Sequence, residues 1–340
     1  MRGFVIRKPD DFHVHLRDGE MLKQVAPDTA SDFARALVMP NLSDPVVSAR
    51  DAASYRHRIG MAVEGAFEQL MTIYLTKETT PQMIIEAGKA MVTAVKFYPR
   101  SGTTNSVHGL TAYELTQCND VFAAMVEANM VLCLHGEDPN EPMLMRETAF
   151  LKFASQIVRR FPKLRVVIEH VTTAEAVKFV KRHQNVAATV TVHHLVLTTD
   201  QVIGDHDCLC MPVAKSAADR KALGRAVMSK HPRIFFGSDS APHIRGTKNL
   251  AKGSFGLYTA PVALPLLAEI FNENGKYDRL EDFVSKFGAE FYQLPLNKAE
   301  IELVREEWQV EDPLDQPHNP EKTVRPFMAG KVLTWAVRRG

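Results

Sequence analysis

The chain has 340 residues, with 41 Lys+Arg against 40 Asp+Glu (formal net charge +1), 45% apolar and 24% charged residues. That is the balance of a soluble globular enzyme, and near-neutrality argues against a broad nucleic-acid-binding face. Four cysteines (Cys118, Cys133, Cys208, Cys210) are too few for a disulfide scaffold. The opening MRGFVIRKPDDFHVH turns charged almost at once. The longest apolar stretch, 260–271, is broken by Pro261 and Pro265 and falls short of the ~18 residues a membrane helix needs. A cytoplasmic, reduced protein that binds neither nucleic acid nor membrane is expected.

Along the chain, short apolar or β-branched runs predict strands at 12–16, 35–39, 71–75, 94–98, 131–134, 165–169, 187–192 and 234–237. Helical segments intervene, among them 80–90, 112–128, 174–182 and 217–229. Several strands are apolar throughout rather than alternating, which suits strands covered on both faces. Eight strand–helix alternations predict a (β/α)8 barrel. The competing open doubly wound sheet lacks a G-x-G-x-x-G after an early strand. The whole chain, 1–340, reads as one domain. Its barrel covers about 10–275, with a last helix near 261–274, and a C-terminal extension covers 276–340.

His13 and His15 straddle Val14 on the first predicted strand, so period-two alternation points both imidazoles into the barrel. An isolated H-x-H is weak, since two partly solvated histidines at a strand end explain it as well. The other strands add weight. Lys96 lies on the fourth, His135 ends the fifth, His170 ends the sixth, and Asp239 follows the eighth. This is the face on which barrels build active sites. Lys96 sits in the apolar run Thr-Ala-Val-Lys-Phe-Tyr, where desolvation lowers its pKa. Two outcomes are open for it: an ion pair with Asp239, or reaction with CO2 to a carbamate whose oxygens bridge two metals. With the carbamate, His13, His15 and Asp239 hold one ion, and His135 and His170 the other. Paired ions about 3.5–4 Å apart share a bridging hydroxide that is nucleophilic at neutral pH. Asp239 then takes up a proton and hands it to a leaving nitrogen.

These residues resemble the amidohydrolase superfamily, and most closely the dihydroorotases of the shorter, bacterial type. The resemblance runs in order through Asp10-Asp-Phe-His-Val-His-Leu-Arg-Asp-Gly19, Val38-Met-Pro-Asn-Leu42, Lys96-Phe-Tyr-Pro99, Leu134-His-Gly-Glu137, Glu169-His-Val-Thr-Thr173 and Gly237-Ser-Asp-Ser-Ala-Pro-His243. It implies two Zn2+ per chain, N6-carboxylated Lys96, and a homodimer. The implied reaction is reversible hydrolysis of (S)-dihydroorotate to N-carbamoyl-L-aspartate in pyrimidine synthesis. It further implies that Arg17, Asn41 and His243 hold the substrate carboxylate, and that His15 and His135 touch substrate as well as metal. Thr103 and Thr104 then lie in a loop that closes over the substrate, with Met211 and Phe255 making backbone contacts. Relatives carry small residues and several cysteines in the loop where this chain has Phe255. A hydantoinase or allantoinase is the alternative activity, and a non-catalytic relative the alternative class. Arg17, Asn41 and His243 favour an acidic substrate, and all six ligand positions are filled.

Other features predict no chemistry. Cys208-x-Cys210 has no second Cys or His pair at tetrahedral-site spacing around it, so packing is expected. His193-His194 reads either as support for the site or as a solvated strand end. His57, His183, His206, His231 and His318 read as surface residues.

Overall fold

The computed structural model describes residues 2–248, 254–313 and 323–338; His318, and Lys252 and Gly253 of the Phe255 loop, lie outside them. After β1 (Gly3–Arg7) come eight strands: β2 (Asp10–Val14), β3 (Arg35–Val38), β4 (Glu68–Tyr74), β5 (Ala94–Phe97), β6 (Val131–Leu134), β7 (Val166–Ile168), β8 (Val186–Val190) and β9 (Ile234–Phe236). Each pairs in parallel with the next. The sheet closes where β2 meets the segment after β9. There Asp239 N–H donates to the His13 carbonyl (2.8 Å), and His15 N–H donates to Ser240 (2.9 Å). This is the (β/α)8 barrel.

Inside it, alternate residues of successive strands stack in layers. Phe12, Leu37, Ala94, Cys133, Val167, Ala187 and Phe235 belong to one interior apolar cluster. Two residues further along, the same alternation reaches Lys96, His135, Glu169, Thr189 and Gly237. An apolar floor thus underlies a polar layer at the C-terminal mouth. β2 adds a bulge, with Asp11 opposite Ala36 and Val14 opposite Val38. Two residues therefore face Leu37 alone, so Phe12 enters the floor while His13 still points into the mouth.

The strands fall where the apolar runs predict them, with ends shifted by at most three residues. The helix expected over 112–128 is instead two, Ala112–Leu115 and Asn119–Glu127. The Thr116 hydroxyl bonds back to the Tyr113 carbonyl at 2.7 Å, and such a local bond competes with helix continuation. The last barrel helix is Ala263–Glu273. Beyond it, the segment Phe287–Phe291 brings Tyr292 under the barrel, stacked on Phe12 at 4.8 Å. Gly288 permits that approach, because a Cβ there would collide with the Phe12 ring.

The two ends of the chain join. β1 pairs antiparallel with β10 (Glu300–Val304), which pairs with β13 (Ala336–Arg338). β11 (Trp308–Gln309) and β12 (Val332–Leu333) form a second small ribbon. The strand at residues 3–7 and its pairing with the C-terminal extension 276–340 are not among the elements expected from the sequence.

A buried ion pair ties the bottom of the barrel to this region. Arg35 donates bidentately to Asp10 (2.8 and 2.6 Å) and also to the Pro295 carbonyl (2.9 Å). Asn297 donates to Asp10 as well, at 2.7 Å. Breaking such a pair by removing one partner strands a buried charge. Arg35→Met is therefore expected to cost about 3–5 kcal/mol. Adding Asp10→Asn should recover part of it, both read from chemical-unfolding midpoints.

Candidate active site

The polar layer converges on one narrow cavity. His13 and His15 direct their Nε2 atoms at Asp239 Oδ1, at 3.4 and 3.3 Å. The rings of His13 and His170 lie 5.0 Å apart, and those of His170 and His135 4.7 Å apart. Lys96 is fully buried, its Nζ has no hydrogen-bond partner, and it lies 5.1 Å from the Tyr98 ring centroid. The ion pair of Lys96 with Asp239 is not formed.

Three strand-end residues take left-handed backbone: Arg17 (φ 58°), His170 (φ 42°) and Asp239 (φ 44°). Such conformations are costly for residues with a Cβ and concentrate where function over-determines the backbone. At His170 the turn matters most. Alternation alone gives the inward position to Glu169, and the turn allows the imidazole that follows to reach the mouth as well.

Glu169 is the main residue the sequence reading missed. Its carboxylate accepts from His13 Nδ1 (2.8 Å) and from Thr189 Oγ1 (2.6 Å), while Thr189 Oγ1 accepts the His170 N–H (2.7 Å). Glu169 thus fixes the tautomer of His13, leaving Nε2 as a lone pair facing Asp239. The available signal was a carboxylate inside an otherwise apolar strand, two residues beyond Val167 on the inner face. Gly237 is the second omission. A Cβ there would lie 2.9 Å from both His13 Cβ and Thr189 Cγ2, so the glycine makes room for the histidine.

Desolvation sets the charge state. Burial, ahead of the charge on Lys96, draws His13 down to about 4. It likewise holds His15 and His170 well below the usual histidine range. Burial also lowers Lys96 and raises Asp239. It opposes ionisation of Glu169 too, but His13 and Lys96 hold that carboxyl below its ordinary range. Neutral imidazoles beside a carboxylate suit a divalent cation. The donor atoms of His13, His15 and Asp239 lie within 4.8 Å of one another. The orphaned Lys96 Nζ and His170 Nδ1 also fit metal ligation. His135 and His170 offer only two donors of their own, so a second ion there needs Lys96 to become an oxygen ligand.

The rim is polar. Arg17 donates from Nε to the Pro242 carbonyl (2.9 Å), and its Nη2 lies 2.9 Å from His243 Nε2. That same Nε2 is 3.0 Å from the Phe255 carbonyl. One ring nitrogen cannot accept from Arg17 and donate to Phe255 at once, so the two contacts compete. Burial, then Arg17, pulls His243 to about 2, so the ring is neutral. Asn41 is held by Tyr98 O–H (2.8 Å) and donates to the Thr104 carbonyl (3.0 Å), while Asn105 donates to the Asn41 carbonyl (3.0 Å). The loop carrying Thr103 and Thr104 is therefore docked over the mouth.

Arg17, Asn41, Thr103, Thr104, Met211 and Phe255 line the cavity together with the histidines and Asp239. Lys96 lies beneath it. His243, in contact with Arg17 at the edge of this cavity, also borders a roomier neighbouring one of about 690 Å3, which contains Arg245 and Arg325 but none of the strand-end histidines.

A barrel with a buried His/Asp set able to hold a metal ion at its C-terminal mouth defines the class. Residues 3–303 match the Amidohydrolase family, and the chain belongs to it. Proteins named dihydroorotase from Synechocystis sp. and Microcystis aeruginosa are 44% and 46% identical, over 98% of this chain and 99% of each of theirs. The crystal structure of dihydroorotase in complex with 5-fluoroorotic acid from Saccharomyces cerevisiae matches at TM-score 0.93 and 34% identity, over 99% of both chains. Within the amidohydrolases, the chain belongs to the dihydroorotases.

The space beneath His13 gives a direct prediction. Gly237→Ala forces His13 or Thr189 to shift, an overpacking that costs about 1–3 kcal/mol. The variant should fold and retain less metal per chain than the parent, as counted by elemental analysis.

Proposed function

We propose that this chain reversibly hydrolyses the cyclic amide of (S)-dihydroorotate to N-carbamoyl-L-aspartate, a step in making pyrimidines. The observation that carries this reading is the meeting of Arg17 and Asn41 with the His/Asp set in one narrow cavity. His13, His15 and Asp239 would hold one divalent ion, and His135 and His170 a second, with Lys96 carboxylated on Nζ serving both. Bound there, two zinc ions supply Lewis acidity that activates water and polarises the amide carbonyl.

The chain's own residues do the rest. Glu169 and Thr189 keep His13 in one tautomer. Burial raises Asp239, which suits a group that takes up the proton released by the attacking water and returns it to the amide nitrogen as the C–N bond breaks. Arg17 offers a fork of N–H donors to the substrate carboxylate, with His243 and Asn41 beside it. In binding, the carboxylate resolves the contest at His243, taking over Arg17 Nη2 and leaving His243 Nε2 free to donate. Thr103, Thr104 and the backbones of Met211 and Phe255 close the remaining walls, and the loop docked on Asn41 excludes water. His15 and His135 border both metal and substrate. The working form in this reading is a cytoplasmic homodimer.

Low CO2 during metal loading distinguishes the fates of Lys96. Buried and without a partner, Lys96 should add CO2, visible by intact mass on gently handled protein. No adduct, and no dependence of activity on bicarbonate, removes the carbamate.

The activity is checked by turnover of dihydroorotate and carbamoyl aspartate against hydantoin and allantoin, with metal counted in the same sample. Preference for either of the last two defeats the reading. Asp239→Asn should fold and lose turnover by about 100-fold or more, the scale of a removed general acid–base group. Retained turnover contradicts the proton-transfer role.

A further inference from the structure

Beyond β8 the fold joins halves of two motifs that are separate in sequence. His193 and His194, in the short helix Val192–Val196, are both buried, at 0% and 1% exposure; neither is a solvated strand end. Cys210, also buried, folds against them. One donor atom from each of the three lies within 4.8 Å of the others. Cys208 stays apart, half-buried, with its thiol toward Asp205 at 3.5 Å.

The distances have the scale of a coordination shell. Cys210 Sγ is 3.7 Å from His194 Nε2 and 3.4 Å from the Pro212 carbonyl oxygen, and those two are 2.9 Å apart. Bonds of about 2.0–2.3 Å to a tetrahedral zinc ion place neighbouring N, O and S donors about 3.4–3.6 Å apart. The two edges to sulfur already match. The third opens when an ion replaces the Nε2 proton now pointing at Pro212. His194 Nδ1 lies 2.8 Å from Thr191 Oγ1. That hydroxyl can accept an Nδ1–H, leaving Nε2 as a lone pair, in the way a second partner orients a ligating histidine.

The independent observation is His193. It is fully buried, and neither ring nitrogen has a hydrogen-bond partner. A buried imidazole left in that state is costly. A ligand accepting its lone pair removes the part of that cost that falls on the acceptor nitrogen.

We propose that His193, His194 and Cys210, with the Pro212 carbonyl, form a further site for one divalent ion of the zinc class, distinct from the paired site and sharing no residue with it. Nitrogen and thiolate donors select such an ion over magnesium or calcium. The thiol proton and the Nε2 proton are released or relocated as the ion enters. Cys210 and Pro212 flank Met211, which lines the active-site cavity, so the ion fixes the backbone at that wall. The site does not depend on which amide the enzyme hydrolyses.

Cobalt reports on it directly. The full chain is produced in zinc-depleted medium containing Co2+, then examined for absorption and cobalt content. Thiolate ligation gives strong charge-transfer absorption in the near ultraviolet, which the nitrogen and oxygen donors of the paired site do not. The wild type should show this band. Cys210→Ala should lose it together with one cobalt per chain, and His193→Gln should lose it while keeping the thiol. Cys208→Ala and Cys133→Ala should retain it. A wild type without the band overturns the site, as does a band that survives Cys210→Ala or vanishes with Cys208→Ala. If Cys210→Ala does not fold, a band unchanged in His193→Gln overturns it equally.

Discussion

The seam where the barrel closes is the constraint on which the site depends. The backbone bonds that join β2 to the segment after β9 are made by His13, His15, Asp239 and Ser240 themselves. Closing the sheet and assembling the His/Asp set are therefore one event. Asp11 reinforces it, accepting the N–H groups of His13 (3.1 Å) and Ser238 (2.8 Å). The Ser238 hydroxyl adds a bond to the His13 carbonyl at 3.1 Å. A displacement of either strand would move two histidines and their carboxylate apart, which explains why so many buried polar groups are spent on so short a contact.

Burial at this seam does chemical work as well. In water these histidines would titrate near neutrality and the lysine would be an ammonium. The apolar floor of Phe12, Val167 and Phe235 removes water from beneath them, and desolvation pushes each toward its neutral form. Neutral imidazole is the metal-binding form, and a neutral amine is the form that reacts with CO2. Glu169 is nonetheless held below its ordinary range, with His13 and Thr189 both donating to its carboxylate. The near-zero net charge of the chain is thus an average. The mouth packs histidines, Lys96, Glu169 and Asp239 closely together, with Arg17 at its rim.

Much of this was legible from the chain. Strands buried on both faces carry continuous apolar runs, so a histidine or lysine inside one stands out. Period-two alternation then correctly groups His13 with His15 and aligns Lys96 and His135 with them. What escaped was whatever breaks the period or acts across it. The β2 bulge, which turns both Phe12 and His13 inward, leaves no mark in residue type. The left-handed turn at His170 lets Glu169 and His170 serve the site together, where alternation allows only one. The pairing of β1 with β10 joins residues almost 300 positions apart in sequence, and no local pattern encodes it. The meeting of His193 with Cys210 is hidden for the same reason.

β8 shows how one strand supports both donor sets. Thr189, inside it, binds Glu169 and the His170 backbone. Two residues on, Thr191 caps the next helix, its hydroxyl accepting the His194 N–H at 3.2 Å while facing His194 Nδ1. Both threonines hold a histidine by accepting its backbone N–H. The same short stretch of backbone thus sets the surroundings of both His170 and His194. Met211 completes the loop back to the cavity wall. Cys210 is joined to Met211 by one peptide bond, so the cluster around His194 and the cavity wall share one continuous stretch of backbone.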